Sequence, residues 1–264
     1  MSRASPELRP TIDRVWLEAA ARADPLAHAY AVWDLDRFPD RIRFISAVRG
    51  ESTEGYLLVW LGHPAAPIVH WVGGVDDAGT LVGGLPPRPL VVIGPEEVRA
   101  VVERARGPAK SFPLLALLAR PTARRGTGVS GLVRRLTGAD RPELVRLVSG
   151  ETELVAADYP GIDPDHDSVW GAFEGDRLSG VARAVVRRPE VWVLGNVYVR
   201  PSARGRGLGL ALVHRVLDAA AGAGVPVGLF VREDRPAARA MYARAGFRPQ
   251  GRRVWVDAGA GLAP

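Results

Sequence analysis

The chain has 264 residues, with 35 Lys plus Arg against 29 Asp plus Glu, a formal charge of +6 and no cysteine. Disulfides, thiolate metal sites and a cysteine acyl-enzyme are thereby excluded, and His28, His63, His70, His166 and His214 show no metal-ligand spacing, so no metal is expected. No apolar run reaches the roughly 18 residues that cross a bilayer, and the opening "MSRASPELRP" lacks the apolar stretch of a signal peptide, so a soluble cytoplasmic protein with no membrane partner is expected.

In chain order, helices are predicted from about Thr11 to Arg22 and from Pro25 to about Asp36. "RIRFISAV", "GYLLVWLG" and "PIVHWVG" read as strands. "GGVDDAGTLVGG" has two aspartates and no arginine, which would repel a phosphate, and reads as a turn and hairpin. "PLVVI" followed by "GPEEVRAVVERA" reads as strand then helix. The stretch from Leu117 to Gly131, "LLARPTARRGTGVSG", has neither period and reads as a linker. It places a boundary near residue 127, giving domains of 1–126 and 127–264. "LVRRL" then reads as a strand, and Asp140 with Glu143 as a capping box for a helix to about Val148. An acidic loop follows. Three β-rich runs end in "VWVLGNVYV", with Gly175-Asp176 as the first turn between them. From Leu208, apolar residues at 208, 212, 213, 216, 217 and 220 form a helical stripe. "VPVGLFV" is a buried strand, Asp234 offers a cap for a last helix with Pro236 in its first turn, and "RRVWV" closes as a strand.

Between the third β-rich run and the striped helix lies "RGRGLG", residues 204–209. The first N–H groups of a helix lack internal acceptors and sit at the positive end of its dipole. Gly205, Gly207 and Gly209 would let an anion touch the backbone, and Arg204 and Arg206 add charge. A diphosphate cradle is one reading; a basic, flexible strand-to-helix loop is the other. An ATP-type loop lacks its Gly-Lys-Ser/Thr ending. The dinucleotide fingerprint G-x-G-x-x-G fails in both registers, where Leu210 or Leu212 stands for the third glycine.

"NVYVRPSARGRGLGLALV" resembles the acetyl-CoA motif of the GNAT superfamily of N-acetyltransferases, whose Arg/Gln-x-x-Gly-x-Gly/Ala corresponds to Arg204, Gly207 and Gly209. "FVREDRPAARAMYARAGFRP" resembles the family's second motif, with Tyr242 and Gly246-Phe247 in place. The resemblance covers roughly residues 132–256. It implies an α/β fold, a mixed, mostly antiparallel sheet flanked by helices, with a second, smaller α/β half at the amino terminus. That half resembles the degenerate first half of tandem members of the family; an unrelated α/β cap is the alternative.

The resemblance further implies acetyl-CoA as cosubstrate. Its pantetheine would lie against a splayed strand, with Val197 and Val199 supplying backbone groups, and its diphosphate on Arg204, Gly205, Arg206, Gly207, Leu208 and Gly209. Tyr242 falls where the family places a general acid; a phenol of pKa about 10 suits a departing thiolate. Packing on an Ala-rich helix is its other reading. No carboxylate stands between Val191 and Val199, where many relatives carry a glutamate base. Asn196 could hold a water or the acceptor. Glu190 stands too near the strand start for a base; Glu151, Glu153, Asp158 and His166 lie in the loop that borders the acceptor site in relatives, and each reads as a solvated loop group before a base. Arg235 replaces an asparagine usual in relatives.

The expected function is acetyl transfer to a primary amine by direct attack in a ternary complex, with a non-catalytic acyl-CoA sensor as the rival. The acceptor would be a small-molecule or peptide amine. Glu151, Glu153, Asp158, Asp163, Asp165 and Asp167, uninterrupted by Lys or Arg, read as a solvated face; since the resemblance implies that this segment walls the acceptor side, the other reading, and the expectation, is a cationic acceptor. Arginines are scattered with no basic-aromatic array, so no nucleic-acid partner is expected. Oligomeric state stays open, a homodimer included.

Overall fold

The computed structural model describes residues 6–63, 65–74, 81–82, 85, 89–120, 133–149, 164 and 168–261. The chain divides into two compact units: Met1–Ala116 with Arg232–Asp234 and Gly251–Pro264, and Leu117–Val231 with Arg235–Gln250. Among the described residues, no helix is long and apolar enough to cross a membrane.

The first unit begins with β1 (Glu7–Arg9), α1 (Arg14–Ala23), α2 (Pro25–Arg37), β2 (Ile42–Arg49), β3 (Ser52–Trp60), β4 (Ile68–Gly73), β5 (Leu90–Gly94), α3 (Val98–Arg106) and β6 (Lys110–Ala119), whose residues from Leu117 onward belong to the second unit. α1 starts later than expected because Asp13 caps it, accepting from Val15 N at 2.8 Å and Trp16 N at 3.1 Å. Asp24 caps α2 in the same way, with Pro25 in the first turn. Strands β1 to β5 lie in that order, antiparallel except for the parallel pair β4–β5. Alternate residues point to opposite faces. Leu57, Val59, Val69 and Val92 pack with α3 on one face; Phe44, Tyr56 and Leu58 pack with α1 and α2 on the other. Leu117 to Ala119, expected in the linker, extend β6: Ala116, Leu117 and Ala119 are buried, and apolar burial outweighs the polar sequence that follows. The expected boundary at 127 lies outside the described residues. So does most of the expected 73–84 hairpin, although Leu81 and Val82 are helical.

The second unit contains β7 (Val133–Arg135), α4 (Arg141–Ser149), β8 (Ser168–Glu174), β9 (Arg177–Arg187), β10 (Trp192–Val199), α5 (Leu208–Gly222), β11 (Val227–Arg232) and α6 (Pro236–Arg244). The order is β7-β8-β9-β10-β11, antiparallel except for parallel β10–β11. The predicted stripe of α5 is buried in full, with Leu208, Leu212, Val213, Val216, Leu217 and Ala220 at most 3% exposed. Leu136, Leu144, Leu147, Val169, Leu178, Val181 and Tyr198 form a core cluster.

The capping box before α4 is one frame earlier than the sequence suggested. Thr137 is the cap of a short 3-10 turn and Asp140 its reciprocal partner, while Glu143 pairs with Arg146 instead. Arg134 decides the frame, because its guanidinium forks onto Asp140 at 2.6 and 2.8 Å. That hydrogen bonding, led by Arg134, holds the Asp140 carboxyl down at about 2. A folded pKa below the unfolded one gives stability present above pH 4 and lost as pH falls from about 4 to 2. Arg134 is half exposed, so solvent screening limits the gain to about 1 kcal/mol. Asp140→Asn should therefore lower unfolding stability by that amount at pH 6, and the gap to wild type should close at pH 2. A gap independent of pH in denaturant titrations would refute the linkage.

The last strand, β12 (Arg248–Ala258), was expected to close the second half. Instead its residues from Gly251 onward join the first unit, with Val254 opposite Gly94 and Ala258 opposite Leu90 on antiparallel β5. Val254 and Val256 bury into the core beneath α3. This addition makes the two units nearly equal in length, where the sequence reading made the first the smaller.

Candidate functional site

β10 is irregular between Gly195 and Tyr198. Leu194 and Gly195 face Ala184 and Arg183 of β9, but the next aligned pair is Tyr198 with Val181. Three steps on β10 match two on β9, which is a bulge at Asn196–Val197. Asn196 has φ of 50°, and among the described residues no other non-glycine has positive φ. On its other edge β10 pairs with β11 only at Trp192–Val227 and Val193–Gly228. Among the described residues, the register of β10 with β11 does not continue past Val193.

Val197 lies in the bulge. Val199 is better defined. Arg200 N donates to Ser179 O at 2.9 Å, so by the alternation of an antiparallel ladder the N–H and C=O of Val199 point to the β11 side. The Val199 carbonyl accepts from Arg204 Nε at 2.9 Å. β9 and β10 approach closely here: a Cβ on Gly180 would lie 2.8 Å from Tyr198 O, so only glycine fits without movement.

After a 3-10 turn at Pro201–Ala203, the loop reaches Gly205 (φ 79°) and Gly207 (φ 81°). Gly207 is the left-handed N-cap of α5, and no side chain caps the helix. Ala211 N is the first to bond back, to Gly207 O at 3.0 Å. The N–H groups of Leu208, Gly209 and Leu210 therefore have no intrahelical acceptor. A Cβ on Gly205 would meet only open space. Leu208 buries its side chain and leaves its backbone at the helix mouth. Gly209 has a packing role that the sequence did not disclose. Its Cβ position is 3.0 Å from Met241 Sδ and 3.7 Å from Val199, so the end of β10, the first turn of α5 and α6 meet there.

Arg206 is ion-paired with Glu174. Glu174 also accepts from Ser179 Oγ at 2.7 Å, and that hydrogen bond leads the causes holding its carboxyl below the usual range. Sequence reasoning missed both partners; 32 residues separate Glu174 from Arg206, and no local pattern links them. It also missed the bulge, for which Gly195-Asn196 inside a β-rich run was the available signal.

Tyr242 is on α6, buried to 8% exposure, with its ring edge-on to Phe247 at 5.6 Å. Burial pushes its phenol pKa up. The Phe247 amide donates to the Tyr242 carbonyl at 3.0 Å, which fixes the end of the helix. Asp234 does not cap α6: it receives a fork from Arg232 at 2.8 and 2.5 Å, and the cap residue is exposed Arg235, without a side-chain cap bond. Of the base candidates, Glu190 pairs with Arg188 at 3.2 Å in the turn preceding β10, at the opposite end of that strand from Val199. Glu151, Glu153, Asp158 and His166, with the remaining acidic-loop carboxylates, lie outside the described residues.

Residues 139–247 match the Acetyltransferase (GNAT) family. A mycothiol acetyltransferase of Clavibacter michiganensis is 31% identical over 216 residues, which is 77% of this chain and 62% of that protein. The chain spans less than two thirds of the length of the mycothiol acetyltransferases it matches. The N-alpha-acetyltransferase RimI of Mycobacterium tuberculosis is 33% identical over 129 residues, covering 45% of this chain and 78% of that protein. Among solved structures, a Drosophila protein aligns with 96% of this chain and 98% of its own at TM-score 0.72 and 15% identity. A tandem GNAT protein from the clavulanic acid biosynthesis pathway aligns with 98% and 99% at TM-score 0.61 and 17% identity. The fold likeness thus takes in both units, and the sequence likeness covers the segment with the parted strand and glycine loop: this chain belongs to the GNAT acetyltransferase family.

Proposed function

We propose that the chain is an acetyl-CoA-dependent N-acetyltransferase acting on a primary amine, and that the second unit holds the cosubstrate. The observation that carries this reading is the junction at Gly209. There the end of β10 beyond its register with β11, a helix mouth without a side-chain cap and the helix bearing Tyr242 converge. The residues fit the group. Val199, and Val197 beside it, offer the strand edge to an extended amide chain. The backbone of residues 205 to 209 offers N–H donors to a diphosphate. Arg204 and Arg206 are both engaged, with Val199 O and Glu174, so their charge favours the anion while the backbone makes the close contacts. Acetyl-CoA supplies the acetyl group and departs as its thiol. Tyr242, kept neutral by burial, holds a proton for that departure.

The acceptor side follows from charge. The six carboxylates from Glu151 to Asp167 raise the local concentration of a cationic amine. The names of the relatives suit an amine on a small thiol precursor or at a peptide amino terminus. The test is thiol release from acetyl-CoA across amines, amino acids and peptides. A cationic amine should show higher kcat/KM than a neutral one of similar size. The preference should shrink from low salt to 1 M, where screening falls to about 3 Å. A preference indifferent to salt would leave these carboxylates as surface charge. Binding of acetyl-CoA with no thiol release for any amine would favour the sensor, whose support is the lack of a carboxylate on β10.

A further inference from the structure

Arg206 stands in the middle of the glycine loop, between two residues that constrain the backbone least. Gly205 and Gly207 have φ of 79° and 81°, a region that glycine enters at no steric cost and leaves as readily. Side-chain sterics therefore do little to fix residues 205–207. The Arg206 side chain holds them from outside, through its ion pair with Glu174.

The anchor of that pair is a bulge in β9. Ala172 of β8 faces Gly180 and the next residue, Phe173, faces Leu178, so Ser179 is an extra residue on β9. The bulge explains how Leu178 and Val181, three apart, both enter one core cluster, since a regular strand would send them to opposite faces. It also places Ser179 Oγ 2.7 Å from Glu174 Oε2. Gly175, at φ 61°, makes the turn that brings Glu174 back beside β9, opposite Arg177. Both oxygens of Glu174 are thus engaged: Oε2 accepts from the Ser179 hydroxyl and Oε1 from Arg206 Nη1. An exposed ion pair by itself is worth little, because two long side chains must be ordered to make it. Here the glutamate half is already ordered by Ser179, which is 1% exposed.

Ser179 also serves the strand side of the site. Its carbonyl accepts from Arg200 N at 2.9 Å, the contact that turns Val199 toward β11, and the adjacent Gly180 faces Val199. One residue of β9 therefore holds β10 through its backbone and the glycine loop through its side chain and Glu174.

We propose that Glu174 and Ser179 are positioning residues for the cosubstrate: they hold Arg206 so that the loop from Gly205 to Gly209 is arranged before the diphosphate arrives. This role rests on the acetyl-CoA reading of the second unit. A prearranged loop avoids the cost of ordering backbone at the moment of association. Glu174 also has an opposing effect, since it sets a negative charge near the cradle and occupies a cation that a phosphate could use. The two effects have opposite signs in a Glu174→Gln protein, where affinity falls if order dominates and rises if competition does. Order dominates, because the repulsion comes from a partly exposed charge that salt screens, whereas the freed segment holds two glycines.

The test is calorimetry of the full chain with acetyl-CoA. Glu174→Gln should raise Kd about five- to tenfold, the scale set by ordering one loop residue. Ser179→Ala, which leaves the carboxylate but frees it, should raise Kd about two- to threefold, the effect of one neutral hydrogen bond, and decides the matter if Glu174→Gln does not fold. In an Arg206→Gln background, adding Glu174→Gln should change Kd by less than about twofold, because the positioning acts through Arg206. In the ligand-free protein, the Gly205 and Gly207 amides should exchange with solvent faster in Glu174→Gln and in Arg206→Gln alike, while those of β9 and β10 keep their wild-type rates; a general loss of stability would speed both sets. Unchanged or tighter binding by the folded single variants, or an equal loss in the Arg206→Gln background, would overturn the positioning role. Failure of the wild-type chain itself to bind acetyl-CoA would overturn the acetyl-CoA reading and this role with it.

Discussion

Gly207→Glu should abolish acetyl-CoA binding in calorimetry while the protein stays folded. Gly207 has φ of 81° at the N-cap of α5. A glutamate there adds roughly 1–2 kcal/mol of left-handed backbone strain. It also puts a carboxylate where the diphosphate must approach the backbone. The fold should tolerate the change, because a negative charge at a helix amino terminus is itself favourable and the buried stripe of α5 is untouched. Losing two charge-assisted contacts of about 1.5–3 kcal/mol each weakens affinity at least about 100-fold, before any repulsion is added. Gly207→Ala carries the strain without the charge and should fall between the two. Wild-type affinity in a folded Gly207→Glu protein would mean that the glycine loop is only a strand-to-helix connection.

Legibility followed the range of the interactions involved. The stripe of α5 was readable because helix burial repeats every 3.6 residues within one segment. The loop from Arg204 to Gly209 was readable because glycine spacing and helix ends are local. The cap at Asp140 was ambiguous, since Thr137–Asp140 and Asp140–Glu143 offer the same spacing in overlapping frames. Arg134, outside both frames, chose the first. The placement of β12 was not readable at all. Alternation in "RRVWVDA" says which residues are buried, but not which strand they join. For the same reason the parting of β10 from β11 was inferred only through family resemblance. It depends on a bulge whose register is set by β9, not by β10 alone. The pairing of Arg206 with Glu174 lies between distant segments, where single-sequence patterns carry no signal.

Tyr242→Phe should leave acetyl-CoA affinity and thermal stability unchanged and lower kcat by roughly 10²–10⁴-fold, the range for one general acid. The substitution isolates the hydroxyl. Phenylalanine keeps the edge-on contact with Phe247, and among the described residues no hydrogen bond of the Tyr242 hydroxyl is lost, so stability should stay within about 0.5 kcal/mol. Burial adds a pH signature. A raised phenol pKa keeps the proton-bearing, active form populated as pH rises through the ordinary phenol range near 10. Any alkaline loss of kcat below about pH 9 must therefore arise from another group, and it should persist in Tyr242→Phe. The amine has the opposite sign: its neutral form attacks, so kcat/KM should rise with pH until the acceptor is deprotonated. An acid at Tyr242 thus predicts a profile whose acidic limb belongs to the acceptor or its proton relay and whose plateau extends beyond pH 9. In the phenylalanine variant the same profile should be displaced downward. Unchanged turnover in that variant would assign the thiolate's proton to water and leave Tyr242 as packing for α6.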